Sequence, residues 1–205
     1  MAFSSLHIFS PRLRYVTFFV LAYFIAGTVV SLLGGNGEFL IYETTMLLIM
    51  AAVVYMDKRV AFSPVVLWGL ALWGLMHLAG GLLPIPAGIT EPGKTQVLYN
   101  MRIVPWLPKF DQIVHALGFG ISTIAAYEAL SIHVGRHLRV GAAMIAVLFF
   151  IGMGMGALNE VIEFAATLLI PETNVGGYEN TGWDMVSNGV GAIIAVLYLR
   201  FGRRA

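Results

Sequence analysis

Six long apolar stretches alternate with short polar joints along this chain. The stretches cover residues 15–33, 39–56, 62–83, 110–132, 140–170 and 181–199. Each approaches or exceeds the roughly 20 residues that cross a bilayer as a helix. Lipid offers backbone N–H and C=O groups no partner, so each stretch should close its hydrogen bonds internally as an α-helix. The pattern predicts an all-α polytopic bundle of six transmembrane helices, a single membrane domain over residues 1–205. A secretory signal would have a shorter apolar core and a small-residue cleavage site, so the first stretch reads as a retained helix. The fifth is longer than one crossing needs, which predicts a tilt, a protrusion or a break near its glycines.

Composition agrees with the pattern. Charged residues make up 11% of the chain and hydrophobic ones 59%, with a mean hydropathy of +0.83. Soluble domains carry about 25% charged residues; this chain has too few to cover a surface facing water. No basic block with interleaved aromatics occurs, which leaves nucleic-acid binding without support. Cysteine is absent, and with it disulfides, thiolate metal sites and cysteine catalysis.

The placement of charge predicts orientation. Arg12 and Arg14 precede the first helix, Lys58 and Arg59 join the second to the third, and Arg136 and Arg139 join the fourth to the fifth. Arg200, Arg203 and Arg204 follow the sixth. These nine of the 12 Lys and Arg residues fall on one side, which the positive-inside rule makes cytoplasmic. Both termini are therefore expected in the cytoplasm. The external loop 84–108 is the exception, with Lys94, Arg102 and, just beyond it, Lys109. Five prolines make it no ordinary helix. Loops of this length are often lids or binding loops, and a solvated connector is the plainer alternative.

At 1.5 Å per residue, the polar groups inside the helices converge on one depth. His77 lies in the outer third of the third helix, and Glu160 and Glu163 in the outer part of the fifth. Asp111 and His115 open the fourth helix, Asp184 and Asn188 open the sixth, and Glu43 lies near the outer start of the second. Asp111 with His115 and Asp184 with Asn188 are i,i+4 pairs, so each shares a helix face. Small residues continue these faces (Gly118 and Ser122, Gly156, Gly191 and Ala195) and would let the helices approach closely. A charged Asp at mid-membrane costs about 2.5–3.5 kcal/mol, so several acids together need pairing, a cation, protonation or water.

Plainer roles exist for some of them. His77 suits a hydrogen-bonded structural histidine, and Asp111 and Asp184 could cap their helices. Glu43 suits an interfacial position, Glu128 and His133 suit a snorkelling or water-facing one, and Trp106 and Trp183 suit the outer aromatic belt. Glu160 and Glu163 have no such alternative, being far from a helix end and from any basic residue on their own helix.

Imidazoles and carboxylates on facing helices suit a divalent metal: Zn, Mn or Fe, or Mg where water completes the shell. The candidate ligands are His77, Asp111, His115, Glu160, Glu163 and Asp184, with Glu160, Glu163 and His115 as candidate catalytic groups. Asn188, Asn159 and Arg102 would support them. Such a metal could activate water or hold a lipid phosphate, with Lys94, Arg102 and Lys109 drawing in an anionic head group. The partners expected are membrane lipids and an anionic lipid or envelope precursor. A proton- or cation-coupled transporter and a non-catalytic accessory protein are the rival readings. No match between the two halves of the chain supports an inverted repeat.

The segments "LWGLMHLAGGLL", "VLYN", "KFDQIVHALGFG", "GALNEVIEFAA" and "GWDMVSNGVGAIIA" together resemble the YjdF-type family of bacterial inner-membrane proteins. The last three are also similar to the wider VanZ-like pattern of a D-x-x-x-H helix start, a glutamate-bearing helix and a D-x-x-x-N-x-x-G helix. The likeness covers roughly residues 65–195 and carries over His77, Asp111, His115, Glu160, Glu163, Asp184 and Asn188. Gln112 stands where VanZ-like sequences commonly have a basic residue. The resemblance implies a multi-pass protein of the bacterial inner membrane, with an association to glycopeptide resistance in the VanZ branch. It implies no particular reaction.

Overall fold

The computed structural model describes residues 11–134, 138–170 and 173–202. Arg136, Arg203 and Arg204 lie outside the described residues, as does the side chain of Arg12. Six helices follow one another: α1 (Pro11–Leu33), α2 (Gly37–Val60), α3 (Pro64–Leu82), α4 (Phe110–Val134), α5 (Ala142–Leu169) and α6 (Tyr178–Leu197). A π-helical turn, Tyr198–Gly202, ends the last. All six are long and apolar enough to cross a membrane, and no named strand occurs among the described residues.

Local chemistry sets the helix ends. Asn36 caps α2 by accepting from the Phe39 N–H. Ser63 caps α3, with Pro64 pre-set for the first turn. Glu128, expected to snorkel or face water, instead accepts the Ser63 backbone N–H at 2.9 Å and ties the end of α4 to the start of α3. At the head of α4 the Gln112 side chain accepts the Lys109 N–H at 3.0 Å, half of a capping box. Helix α6 starts at Tyr178, with Gly177 at its N-cap. Asp184 therefore lies in its second turn, buried, and is not a cap. Helix α5 runs unbroken for 28 residues, about 42 Å. Its glycines serve packing: Gly152 faces Thr123 and Ala192, and Gly156 faces Asn188.

Helix α4 packs most extensively on α6. A Cβ on Gly120 would stand 3.0 Å from the Gly191 carbonyl oxygen, and one on Gly191 would collide with the carbonyl of Ala116. Backbone thus meets backbone, the close approach that small residues permit in lipid. This pair is also among the least apolar of the six spans, with mean hydropathies of 1.4 for α4 and 1.5 for α6 against 2.3 for α1.

The two ends of the bundle differ. At one, Phe62, Val66, Leu148 and Leu199 belong to a buried apolar cluster, and the Arg200 guanidinium donates to the Val140 carbonyl at 2.7 Å. At the other, Phe39, Tyr42 and Leu78 pack together beside the α3–α4 loop. That loop is neither helix nor loose connector. Two 3₁₀ turns, Ala87–Ile89 and Leu98–Asn100, are tied by backbone bonds such as Glu91 N–H to Asn100 O and Arg102 N–H to Ile89 O, both 2.8 Å. Its Tyr99 ring lies directly on Gly80 of α3, where a Cβ would strike it.

Candidate functional site

Helices α4, α5 and α6 bring together Asp111, His115, Glu160, Glu163, Asp184 and Asn188. His115 is the hub. Its Nδ1 lies 3.1 Å from the Asn188 side-chain oxygen; an amide oxygen only accepts, so Nδ1 carries the proton. The Nε2 lone pair then faces carboxylates, with Asp111 Oδ1 at 3.6 Å and Glu163 Oε1 at 3.8 Å. These gaps are too long for hydrogen bonds. Both are shorter than two metal–ligand bonds placed end to end, about 4.2 Å for zinc. A histidine whose second nitrogen is pinned by an amide is also the usual arrangement around a bound metal.

Two groups of three have ligand atoms all within 4.8 Å of one another: Asp111, His115 and Asp184, and His115, Glu160 and Glu163. His115 belongs to both. Glu163 accepts from Asn159 at 2.8 Å. Asp184 accepts from Asn180 at 2.5 Å through one oxygen, while its other oxygen is buried with no hydrogen-bond partner among the described residues. Glu160 is the extreme case. Its side chain is 10% exposed and neither oxygen has a hydrogen-bond partner among the described residues; the nearest His115 nitrogen, Nδ1, is 3.6 Å away.

His77 stands outside both groups. Its Nδ1 meets the Tyr99 hydroxyl at 2.5 Å, and the rings of Phe39, Tyr42, Trp73 and Tyr99 surround it. Burial, with Asp111 and Glu163 nearby, pushes the Tyr99 phenol well above its ordinary value of 10. The phenol therefore keeps its proton, and His77 is held by Tyr99 inside a cage of rings, which suits the structural-histidine reading.

Lys109 and the second helix also differ from expectation. Lys109 is no surface lure for anions: it is buried, pairs with Asp111 at 3.0 Å and donates to the side-chain oxygen of Asn180. Glu43 is buried too, accepting from Ser31 of α1 at 2.7 Å, and is not interfacial. The acid that α2 directs to this end is Glu38. It accepts the Asn174 N–H at 3.0 Å and lies 3.4 Å from the Tyr42 hydroxyl. A cavity of about 30 Å³, about one water's share of liquid volume, is bordered by His77, Tyr99, Lys109, Asp111, Glu163 and Asn180. Of these, Tyr99 and Asn180 were not singled out in the sequence. The VLYN segment and the i,i+4 spacing of Asn180 from Asp184 are the signals that mark them.

Among the described residues Arg102 forms no ion pair with the cluster's carboxylates. It pairs with Glu91 at 3.3 Å and donates to the Pro105 carbonyl at 3.2 Å. With Lys94 it borders a groove of about 970 Å³ that runs onto α4 and α6. Lys109 and Asn180 border both this groove and the small cavity, so they form the wall between them.

Six apolar helices around a buried His/carboxylate cluster define a polytopic helical membrane protein. The chain belongs to the family described as predicted membrane protein (DUF2238), whose profile matches residues 13–205. No curated protein and no solved structure matches it.

Proposed function

We propose that the cluster holds a divalent metal ion, through His115 with Asp111, Asp184, Glu160 and Glu163, and that the protein uses it to bind and hydrolyse an anionic lipid or envelope precursor. The observation that carries this reading is the uncompensated charge. Four carboxylates surround His115 with Lys109 paired into the cluster, and neither Glu160 oxygen meets a hydrogen-bond partner in good geometry among the described residues. Two like charges at about 4 Å in such surroundings repel by about 4 kcal/mol, a large part of the 5–15 kcal/mol that stabilises a typical domain. A divalent cation offsets that repulsion and matches the His/carboxylate donor set, Zn, Mn or Fe before Mg. In hydrolysis, Glu160 or Glu163 takes a proton from the attacking water and returns it to the leaving alcohol.

Transport is the weaker reading. Beyond the cluster, Gly152 and Gly156 close α5 onto its neighbours and Gly191 closes α6 onto α4, so packing continues where a pathway would have to run. Orientation follows the basic residues: the end bearing Lys58, Arg59, Arg139 and Arg200 faces the cytoplasm, and the cluster opens outward. A bacterial inner membrane fits this orientation and the YjdF-type and VanZ-like resemblance. Elemental analysis of purified protein tests the site. One bound metal per chain, lost in Glu160→Gln with Glu163→Gln, is expected. A metal-free protein under every preparation would overturn the metal reading, and substrate-driven cation flux in proteoliposomes would replace it with transport.

A further inference from the structure

We propose that the groove between the outer faces of α4 and α6 seats an anionic membrane lipid, its head group on Lys94 and Arg102 and its acyl chain along Ile113, Val186 and Val190. The proposal deepens the reading above by naming the ligand class and its berth, and it rests on that reading for what happens to the ligand afterwards.

Three features of the groove carry it. The first is its size and place: about 970 Å³, within the range of pockets that bury a small organic ligand and enough for a head group with the upper part of one chain. The second is its polarity along the membrane normal. The loop contributes Glu91, Lys94, Arg102 and Trp106 to the lining, the opening turns of α4 and α6 contribute Ile113 and Trp183, and Val186 and Val190 lie further along α6. The rings are exposed, 79% for Trp106 and 53% for Trp183, at the level where aromatic residues meet lipid head groups. The sequence of charge, aromatic belt and apolar wall is that of a lipid lying parallel to the helices.

Third is charge. Lys94, Arg102, Glu91 and Glu179 border the groove, and Lys109 borders it already paired with Asp111. The pair Arg102–Glu91 uses one nitrogen of the guanidinium, and the Arg102 Nε is buried with no hydrogen-bond partner among the described residues. A phosphate at this end competes with Glu91 for the guanidinium, and bidentate contact with a guanidinium suits it. A lipid phosphate here lies against the Lys109–Asn180 wall, which separates it from Asp111. Breaking the Lys109–Asp111 pair for a phosphate exchanges one anion for another and opens the cluster to the ligand.

Native mass spectrometry of the delipidated full chain tests this with three probes: dioleoylphosphatidylglycerol, dioleoylphosphatidylcholine and glycerol 3-phosphate. Phosphatidylglycerol is expected to bind at least tenfold more tightly than the other two. Lys94→Gln with Arg102→Gln should weaken it by about fivefold per cation removed, and Val186→Trp, at an exposed position that fills the groove, should also weaken it. Metal content, read in the same samples, should not change in these variants. Equal affinity for phosphatidylcholine, or unchanged phosphatidylglycerol binding in both variants, overturns the berth. So does glycerol phosphate binding as tightly as the lipid, since the chain would then contribute nothing. A metal-free protein that still selects phosphatidylglycerol would leave the berth standing and remove only the metal.

Discussion

Glu160 offers the sharpest test of single-residue energetics, because glutamine has its shape without its charge. In chelator, Glu160→Gln should raise stability by about 1–3 kcal/mol, or several degrees in the midpoint at about 2–4 °C per kcal/mol for a chain this size. Saturating metal should stabilise the native protein and leave the variant unmoved, since a ligand that binds only the folded state adds stability. A variant less stable in chelator would mean the carboxylate is already satisfied. Tyr99→Phe probes the other face of the cluster. It leaves His77 Nδ1 buried without its partner, a loss of about 1–3 kcal/mol. Metal content should stay at the native level, because His77 belongs to neither group of close ligand atoms. Loss of metal in Tyr99→Phe would return His77 to the ligand set.

Among the helices, α4 and α6 set the geometry that the others complete. Gly191→Ala forces a methyl into the Ala116 carbonyl, and backbone cannot yield as a side chain can. A fall of about 3 kcal/mol in thermal unfolding is expected, against little change for Gly154→Ala, where an added Cβ meets nothing within 4 Å. Gly156→Ala should act differently, pushing aside the Asn188 side chain and freeing the His115 ring. Reduced metal affinity is its signature, with some loss of stability because the added methyl also meets the Asn188 Cβ at 2.9 Å; a protein that keeps its metal would show that Asn188 does not hold the ring. The depth of these groups was legible in the sequence, because helical rise turns residue number into distance. Rotation was not. Glu38 and Glu43 lie five residues apart on α2, about 140° around the helix: one faces Asn174 and the other Ser31. Apolar residues surround both in sequence, so no stripe announces the inward face. Lys109 was hidden in the same way, since its partner Asn180 belongs to another helix.

For the whole molecule, the six spans could be read because twenty apolar residues in a row admit few other structures in lipid. Orientation is testable in a chain that contains no cysteine. Single cysteines at Gly37, Gly88, Gly177 and Gly141 add side chains where nothing lies within 4 Å. The first three should react with an impermeant thiol reagent from outside intact cells, and the fourth only after lysis; the reverse pattern would invert the molecule. The partnership of α4 with α6 also bears on how the protein is made. Ribosomes deliver Gly191 roughly 70 residues after Gly120, several seconds later at about 5–20 residues per second. For that interval the nascent fourth span, one of the least apolar of the six, holds Asp111 and His115 without Asn188 or Asp184. It must wait beside the insertion machinery or lean on α3. A chain truncated before α6 should therefore be a preferred target of membrane quality-control proteases, and its fourth span the segment through which it is recognised.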